Sequence, residues 1–478
     1  MKTVFAVCAA LAGVAAASTN AIPVEGESKL RFNAGADLRV RQEIMHNVPG
    51  LPGAPGAMMP RAYKEAQNHI RFRPRVWGRL DYEEFGLYVR LVDEFREHIV
   101  KNGVSRKNRA YNFPDEVALD NLYFEGHGLM DGLIDFRIGR QDLFDGRHSV
   151  LGLDHLMIDG APYVGSRSCY ADMAHITFHT SEESKLDTFA LYDNGRNMYR
   201  YGHRHSRGRP MNAIHPGDSP GMDEWGGGVV WNDSLFEKRL PYQLYVVHKH
   251  NEEYTNPRGV RIKDKQITTF GARIEPQITE FLSLDFEGAK QFGSMGRGPY
   301  QAGGYMGYGA IDFHPALVHE MKTYARLSAY YLSGDRHRGG TDDNDTSWDP
   351  MWARAPCDSE LMQYGTLYGL GYWSNMLYTR LTLGMDFTPR HRVQVYSGPM
   401  WAAERDGAGH ADGSGSSFKG FLTAARYDFP IILAPKNASG IRRFEVFGHI
   451  IGELFNPGDY YESNRPAYFL RWEFTFKF

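Results

Sequence analysis

Long stretches of alternating apolar and polar residues constrain the fold of this chain more than any other feature. Between Leu30 and Arg41, apolar residues at even positions alternate with charged residues, Asn or Gly at odd positions. Because successive side chains of a β-strand point to opposite faces, this stretch predicts a strand with one apolar and one charged face. The pattern recurs at 70–82, 320–331 and 377–387, with weaker copies near 87–96, 134–141, 173–179, 242–250, 269–275, 282–291 and 444–454.

The length of these strands favours a membrane-spanning barrel over a soluble sandwich, although both architectures alternate in this way. The strands run to about ten residues, which a tilted strand needs to cross a bilayer, whereas soluble strands most often have about five or six. A polar face rich in arginine also suits a water-filled lumen. A bundle of transmembrane helices is excluded, because the mean hydropathy is -0.47 and no apolar run of about 20 residues follows residue 17.

The last strand of the chain carries the most specific signal. At 467–478, aromatic and apolar residues from Tyr468 to the terminal Phe478 alternate with Arg471, Glu473, Thr475 and Lys477. This pattern resembles the C-terminal signal that the barrel assembly machinery of the bacterial outer membrane reads. The sequence therefore predicts an all-β outer-membrane barrel that meets this machinery during biogenesis and afterwards contacts membrane lipid and lipopolysaccharide.

The N-terminus predicts export. Residues 1–21 combine Lys2, an apolar stretch from Val4 to Val14 and small residues that allow cleavage after Ala17 or Ala21, as in a secretory signal peptide. The barrel domain would then span 22–478. Its two cysteines, Cys169 and Cys357, would lie in an oxidising compartment, where they either form a disulfide or remain two separate thiols.

The size of the mature chain predicts the number of strands. Its roughly 457 residues, at about 25 residues per strand and connection, make about 18 strands, with 16 as the next choice. Such a barrel leaves an aqueous channel. Short turns are expected at 83–86 and 388–391. Long connections, extracellular or folded into the lumen, are expected at about 44–68, 98–115, 142–170, 194–240, 333–373 and 401–417.

The charged faces predict an anion path. The 54 Lys and Arg nearly balance the 57 Asp and Glu, which argues against a nucleic-acid-binding protein. If the apolar faces meet lipid, however, many arginines face the lumen, where guanidiniums bind carboxylates. The expected pore-lining residues are Arg39, Arg41, Arg71, Arg73, Arg75, Arg79, Arg90, Arg137, Arg273, Arg326, Arg380 and Arg471, with Trp77, Tyr324 and Tyr378 available to stack on sugar rings.

Two points on this path stay open. The arginines could instead pair with Asp37, Asp81, Asp135, Glu287 and Asp386 across strands and stiffen the wall, and we expect about half of them to do so. Arg140 has the parity of the lipid-facing residues, where a charge near the midplane would cost about 2–4 kcal/mol. A bulge or a strand end is therefore expected to turn Arg140 inward near the channel mouth.

Two segments resemble the alginate-export porin family. One runs from Arg137 to Leu143 and continues with Asp145-Gly146-Arg147 and Gly152. The other comprises Leu332-Ser333-Gly334-Asp335, the acidic stretch 340–345 and Trp348-Asp349-Pro350-Met351-Trp352. The resemblance implies an 18-stranded monomeric barrel, lined by Arg and Lys, through which an anionic polyuronate passes. Residues 151–165 and 200–209 depart from the family pattern and bear on the substrate more than on the fold.

The sequence offers one candidate metal site and no catalytic motif. Asp343, Asp345, Ser347 and Asp349 alternate as in a calcium loop, but Trp348 occupies the position of the turn glycine and Arg354 that of the final glutamate. The stretch is either a loop calcium site or a solvated acidic loop, and no other cofactor is expected. Because no motif such as Gly-x-Ser-x-Gly occurs, the chain is not predicted to be an enzyme.

Three functions follow from the sequence. The first is an outer-membrane channel that passes an alginate-like anionic polysaccharide or a related anion. The second is a general or nutrient-uptake porin for small anions or oligosaccharides, since a charged lumen works in either direction. The third, of a different class, is a surface structural or adhesion protein for which the barrel is only an anchor.

Overall fold

The computed structural model describes residues 30–47, 67–99, 116–142, 151–153, 170–193, 200–202, 223–255, 261–296, 301–315, 321–335, 344–352, 359–361, 374–388, 391–404, 416–433, 444–461 and 465–478. Within these ranges the chain folds into 18 long antiparallel strands. They are β1 (Leu30–His46), β2 (Gln67–Tyr82), β3 (Phe85–Val92), β4 (Glu116–Gly128), β5 (Ile134–Asp142), β6 (Tyr170–His179), β7 (Lys185–Asp193), β8 (Glu224–Leu235), β9 (Leu240–Asn251), β10 (Lys265–Ile274), β11 (Leu282–Met295), β12 (Tyr305–Phe313), β13 (Lys322–Leu332), β14 (Met376–Thr388), β15 (His391–Trp401), β16 (Phe418–Leu433), β17 (Glu445–Pro457) and β18 (Ala467–Lys477).

The sheet closes on itself as an up-and-down barrel. Each strand pairs with its neighbours in sequence, and β1 pairs with β18 from Asp37↔Lys477 to His46↔Tyr468. The terminal residue completes this seam, because the amide of Phe478 donates to the carbonyl of Ala36 at 2.9 Å. The prediction of 18 strands in a single transmembrane barrel is confirmed.

The two ends of the barrel differ. Short connections such as 83–84, 236–239 and 389–390 join the strands at one end, which we call the turn end; the longer connections lie at the opposite, loop end. Shorter elements accompany the barrel strands: Phe95–His98, Arg200–Gly202, Tyr254–Thr255, Arg261–Ile262, Gln277–Thr279, Gln301–Ala302 and a helical turn at Leu129–Gly132. Among the residues that the structure describes, no helix is long and apolar enough to cross a membrane.

One predicted connection is wrong. The stretch 194–240 was expected to be a loop, yet it contains β8 (Glu224–Leu235), paired with both β7 and β9. The run Gly226-Gly227-Gly228 hides the alternation. These glycines are required by close packing, because a Cβ atom at Gly226 would lie 2.7 Å from the ring of Trp352.

The outer face of the barrel is apolar. Its residues are well exposed although they are large and hydrophobic, and a bilayer is the environment that such a band suits. Aromatic residues concentrate where this band ends, as in the girdles of membrane barrels. Examples from around the barrel are Phe32, Leu80, Leu122, Phe124, Ile138, Leu244, Phe270, Ile311, Leu327, Leu381, Leu383, Ile450 and Leu470, with Tyr82, Phe236, Phe281 and Phe313 at the turn end and Tyr192, Trp225, Tyr305 and Tyr468 at the loop end.

The inner face divides into two halves. Toward the turn end, charged side chains remain partly exposed to the lumen. Toward the loop end, three stretches of chain pack inside the barrel: 151–153, 344–352 and 359–361. Their apolar side chains are almost fully buried, with Leu151, Leu153, Trp348 and Leu361 each 0% exposed, whereas the polar residues of 344–352 are mostly half-buried. We call 344–352 together with 359–361 the in-folded segment.

Candidate functional site: the inner wall and the in-folded segment

Four arginines face one another across the first two strands. The register pairs Arg39 of β1 with Arg73 of β2, and Arg41 with Arg71. All four side chains are at most 4% exposed. Such a concentration of like charges inside a barrel requires nearby carboxylates, because a buried unpaired charge costs several kcal/mol.

Those carboxylates come from the same wall. Glu43 lies 2.9 Å from Nε of Arg41 and 3.1 Å from Arg71. Arg71 also contacts Glu94 at 2.6 Å, and Arg39 lies 3.8 Å from both Glu94 and Glu473. On β18, the buried Arg471 lies 3.7 Å from Glu43. We call Arg39, Arg41, Arg71, Arg73 and Arg471 the arginine cluster.

A second group of inward arginines is more exposed. Arg79, Arg137, Arg326 and Arg392 have side chains 31%, 33%, 32% and 43% exposed, and we call them the hydrated arginines. Each one still contacts a carboxylate. Glu125 bridges Arg79 and Arg137 at 2.5 and 2.8 Å, Arg326 contacts Asp285 and Asp312, and Arg392 contacts Asp386.

Further wall arginines are also paired. Arg75 contacts Asp37 at 2.9 Å, Arg90 contacts Asp120 and Asp142, and Arg426 contacts Asp428 at 2.6 Å. Arg273 forms a two-pronged contact with Asp285, both bonds measuring 2.9 Å.

Ion pairing of the wall is therefore more extensive than the half that we expected. Asp37 and Asp386 pair across strands with Arg75 and Arg392, as in the alternative interpretation of the sequence. Asp81 pairs with Arg79 of its own strand. Asp135 contacts His179, and Glu287 accepts a hydrogen bond from Tyr245 at 2.6 Å.

The predicted wall aromatics occupy three different settings. Trp77 begins a cross-strand row in which it stacks on Tyr88 at 6.1 Å, Tyr88 stacks on Tyr123 at 5.0 Å, and the guanidinium of Arg137 lies 4.5 Å from the Tyr123 ring. Tyr324 covers Gly384 on the opposing strand, where a side chain larger than hydrogen would clash with the ring. Tyr378 is 0% exposed and lies at the level of the in-folded segment. Arg380 lies 5.5 Å from the ring of Tyr396.

Arg140 lies at the loop end of β5. The register pairs it with Leu122 on one side and Asp172 on the other without a shift. Leu122 is 43% exposed on the outer face, whereas Arg140 is only 6% exposed and directly follows Gly139, whose φ is 128°. Its guanidinium lies 3.3 Å from Asp172. The charge of Arg140 is therefore buried and compensated by a carboxylate, and its position near the channel mouth remains a prediction.

The in-folded segment is anchored at one side by β9, β10 and β11. The ammonium of Lys265 lies 2.9 Å from Asp345 and 3.0 Å from Asp349. The side chain of Gln291 donates to the carbonyl of Asp349 and accepts from its amide, both at 2.8 Å. Lys249 donates to the carbonyl of Met351 at 2.6 Å.

At its other side the in-folded segment is anchored by β17 and β18. Glu453 accepts hydrogen bonds from the hydroxyl of Ser359 at 2.6 Å and from the amides of Glu360 and Leu361 at 2.8 and 2.9 Å. The carboxylate of Glu360 lies 2.5 Å from Arg471. Since β10 and β17 are seven strands apart around the wall, the two described parts of the in-folded segment are anchored at well-separated places on it.

The two anchors differ in their electrostatics. Burial alone would raise the pKa of Asp349, but Lys265 and Lys249 outweigh it and lower that pKa to about 2. The pKa of Asp345 is lowered in the same way by Lys265 and by hydrogen bonds from Ser347, which together overcome burial. Burial raises the pKa of Glu360, and Arg471 offsets this only in part. The carboxylates of Asp345 and Asp349 at Lys265 therefore stay ionised far below neutral pH.

Several predicted residues lie outside the described ranges. Cys169, Cys357, Asp343 and the signal peptide 1–21 are among them, so the disulfide, the calcium site and export remain predictions. In the part of the chain that is described, no group of three His, Cys, Asp or Glu side chains is arranged to hold a metal ion. Asp345 and Asp349 share the ammonium of Lys265 instead.

Sequence reasoning missed the residues that hold the in-folded segment: Lys249, Lys265, Gln291, Glu453 and Glu360. The first four stand at inward positions of alternating strands, so their orientation was available from parity. What parity does not supply is their partner, because the partners come from a distant connection whose path the alternation does not describe.

Comparison with known proteins gives structural matches only. No family model matches the chain, and no curated protein matches it. OccK11 (OpdR) of Pseudomonas aeruginosa is similar at 10% identity, with a TM-score of 0.48 over 93% of this chain and 95% of that one. OpdK of the same organism, in a structure with vanillate, is similar at 12% identity, with a TM-score of 0.48 over 93% of this chain and 98% of that one. OprB of Pseudomonas putida is similar at 8% identity, with a TM-score of 0.42 over 94% of each chain.

Proposed function

We propose that this protein is a channel of the bacterial outer membrane through which small anionic solutes diffuse. The hydrated arginines carry the proposal: inside the turn-end half, four inward guanidiniums are about one third exposed or more. Water therefore reaches the inner wall there. A barrel that served only as an anchor would have no need of a hydrated, charged interior, and barrels of 18 strands are wide enough for an aqueous path.

The arginine cluster supports anions over cations. It brings five guanidiniums to one level of the wall, among them partners of Glu43, Glu94 and Glu473. Arg471 also contacts Glu360, which belongs to the in-folded segment. Rings of arginine favour anions in pores, and this concentration of guanidiniums supports an anion path.

The alginate-like polyuronate implied by the family resemblance is the narrower candidate substrate. Its repeated carboxylates suit a series of guanidinium forks, and the row of Trp77, Tyr88 and Tyr123 offers aromatic surface beside Arg137. The in-folded segment narrows the loop-end half, which favours short anions over a polymer as long as the segment stays in place.

Planar-bilayer recordings test the proposal. Under a gradient of potassium chloride, we expect conductance and a reversal potential of the sign that chloride permeability gives. Replacing both Arg79 and Arg137 by Gln should shift the reversal potential toward cations, whereas Arg79→Lys/Arg137→Lys should leave its sign unchanged. Block by oligouronates but not by neutral oligosaccharides would support the polyuronate. A barrel that folds but does not conduct, or that selects cations, would favour the anchor function.

A further inference from the structure

Both anchors of the in-folded segment place a carboxylate of the segment on a cation of the wall. Asp345 and Asp349 share Lys265 at 2.9 and 3.0 Å, and Glu360 contacts Arg471 at 2.5 Å. The side chains of Glu360 and Arg471 are 2% and 0% exposed. These are the contacts that a carboxylate solute would make with the same cations.

The rest of the attachment uses polar bonds that water can replace. Gln291 and Lys249 bind backbone groups of residues 349–351, and Glu453 binds the hydroxyl and amides of 359–361. Trp348, Met351 and Trp352 are buried among wall residues, and their burial favours the attached state. The attached state therefore combines apolar burial with ion pairs for which a dissolved anion can compete.

We propose that Lys265 and Arg471 are carboxylate-binding sites of the lumen, and that the in-folded segment closes the anion path by occupying these sites with its own carboxylates. A carboxylate solute entering the lumen competes for these cations and favours release of the segment. The inference rests on the proposed channel function and deepens it: small carboxylates are both the permeating class and the class that opens the path.

Conductance in succinate tests the competition. Wild-type channels are expected to conduct more when succinate replaces chloride at equal ionic strength. Asp349→Asn and Glu360→Gln should each raise the open probability about tenfold or more without succinate, since Glu360→Gln removes one partner of a buried ion pair and Asp349→Asn one partner of a largely buried pair. Asp233→Asn is the matched control, because Asp233 accepts a hydrogen bond from Tyr242 near the turn end and does not contact the segment. Lys265→Met should open the path and weaken the succinate response.

A reversible tether keeps the test independent of these substitutions. The hydroxyl of Thr269 lies 3.5 Å from the sulfur of Met351, so Thr269→Cys/Met351→Cys, made with Cys169→Ser and Cys357→Ser, can link the segment to the wall. Folding is checked by heat-modifiable electrophoretic mobility. The oxidised form should conduct little and ignore succinate, and reduction should restore both conductance and response.

Each outcome decides between the two proposals. Equal conductance of the oxidised and reduced tether, or a wild-type channel whose conductance is indifferent to succinate, overturns the competition while leaving the channel function intact. If no folded variant conducts in either redox state, the channel function itself is refuted, and the inference that rests on it is refuted too.

Discussion

Asp285 offers a quantitative test of whether the inner wall sets ion selectivity. Its carboxylate is 3% exposed and bridges Arg273, with two bonds of 2.9 Å, and Arg326, with one bond of 2.9 Å. Asp285→Asn keeps the shape of the side chain and removes one negative charge. The two guanidiniums would then face the lumen with less compensation, and permeating anions should be favoured.

The size of the effect follows from Coulomb's law. For an anion passing at about 6 Å, removing one unit of negative charge lowers its energy by about 0.7 kcal/mol in a bulk-water dielectric, which corresponds to about a threefold change in relative permeability. The lower dielectric of a protein-lined lumen enlarges this figure, and salt reduces it. A threefold increase in the ratio of chloride to potassium permeability is therefore the minimum that we expect at low salt.

Reversal potentials in planar bilayers at low and high salt provide the assay. Asp285→Glu retains the charge and is the control for altered packing, and Asp312→Asn removes a different carboxylate from Arg326 and should act in the same direction. If Asp285→Asn and Asp312→Asn leave the reversal potential unchanged at low salt in folded channels, ions do not pass along this wall, and the assignment of a path beside the hydrated arginines is wrong.

Three further predictions concern stability and pH. Leu383→Arg, on the outer face near the middle of β14, should lower the free energy of unfolding in lipid vesicles by about 2–4 kcal/mol; an unchanged value would contradict a lipid-facing position. Gly271→Ala should cost about 1–3 kcal/mol in the same assay, because the ring of Tyr245 covers Gly271. The contribution of Asp349 to segment attachment, measured by tryptophan fluorescence or conductance, should be complete above about pH 4 and be lost as pH falls through its folded pKa of about 2. Its loss between pH 5 and 7 would be inconsistent with the pairing to Lys265.

Much of the barrel could be predicted from the sequence because the alternation of apolar and polar residues shows directly which side chains of a strand face outward. The predicted strands at 70–82, 320–331 and 377–387 correspond to β2 (Gln67–Tyr82), β13 (Lys322–Leu332) and β14 (Met376–Thr388). The outward side chains face lipid and the inward ones face the lumen, so the polarity of each residue indicates the face on which it lies. The alternation did not single out β4, β7, β12, β15 and β16. β8 was predicted to be a loop because three consecutive glycines carry no such information.

The candidate site was less predictable because it depends on pairs rather than on faces. Parity placed Arg71 and Arg79 inward, but it did not show that Glu43 and Glu125 would meet them. Asp37 was expected as a partner of the wall arginines, but parity did not show which arginine it would meet. Those contacts depend on register between strands.

The position of the in-folded segment was still harder to predict from the sequence. Trp348 and Trp352 were visible as a motif, yet their burial, with Trp352 against β7, β8 and β9, depends on how a long connection enters the lumen. Such a path is determined by many contacts of distant residues, and no local period encodes it.

The seam between β1 and β18 has a consequence for how the barrel forms. Trp472 donates to Gln42 at 2.8 Å across this seam, although 430 residues separate them in the chain. Joining ends so far apart costs about 5 kcal/mol of chain entropy when nothing else is formed, against about 1 kcal/mol for a short hairpin. The hairpins are therefore favoured first and the seam last, which leaves two open edges until the final strand arrives. Because open edges pair readily with foreign strands, the order of assembly makes the first and last strands the most exposed to misfolding.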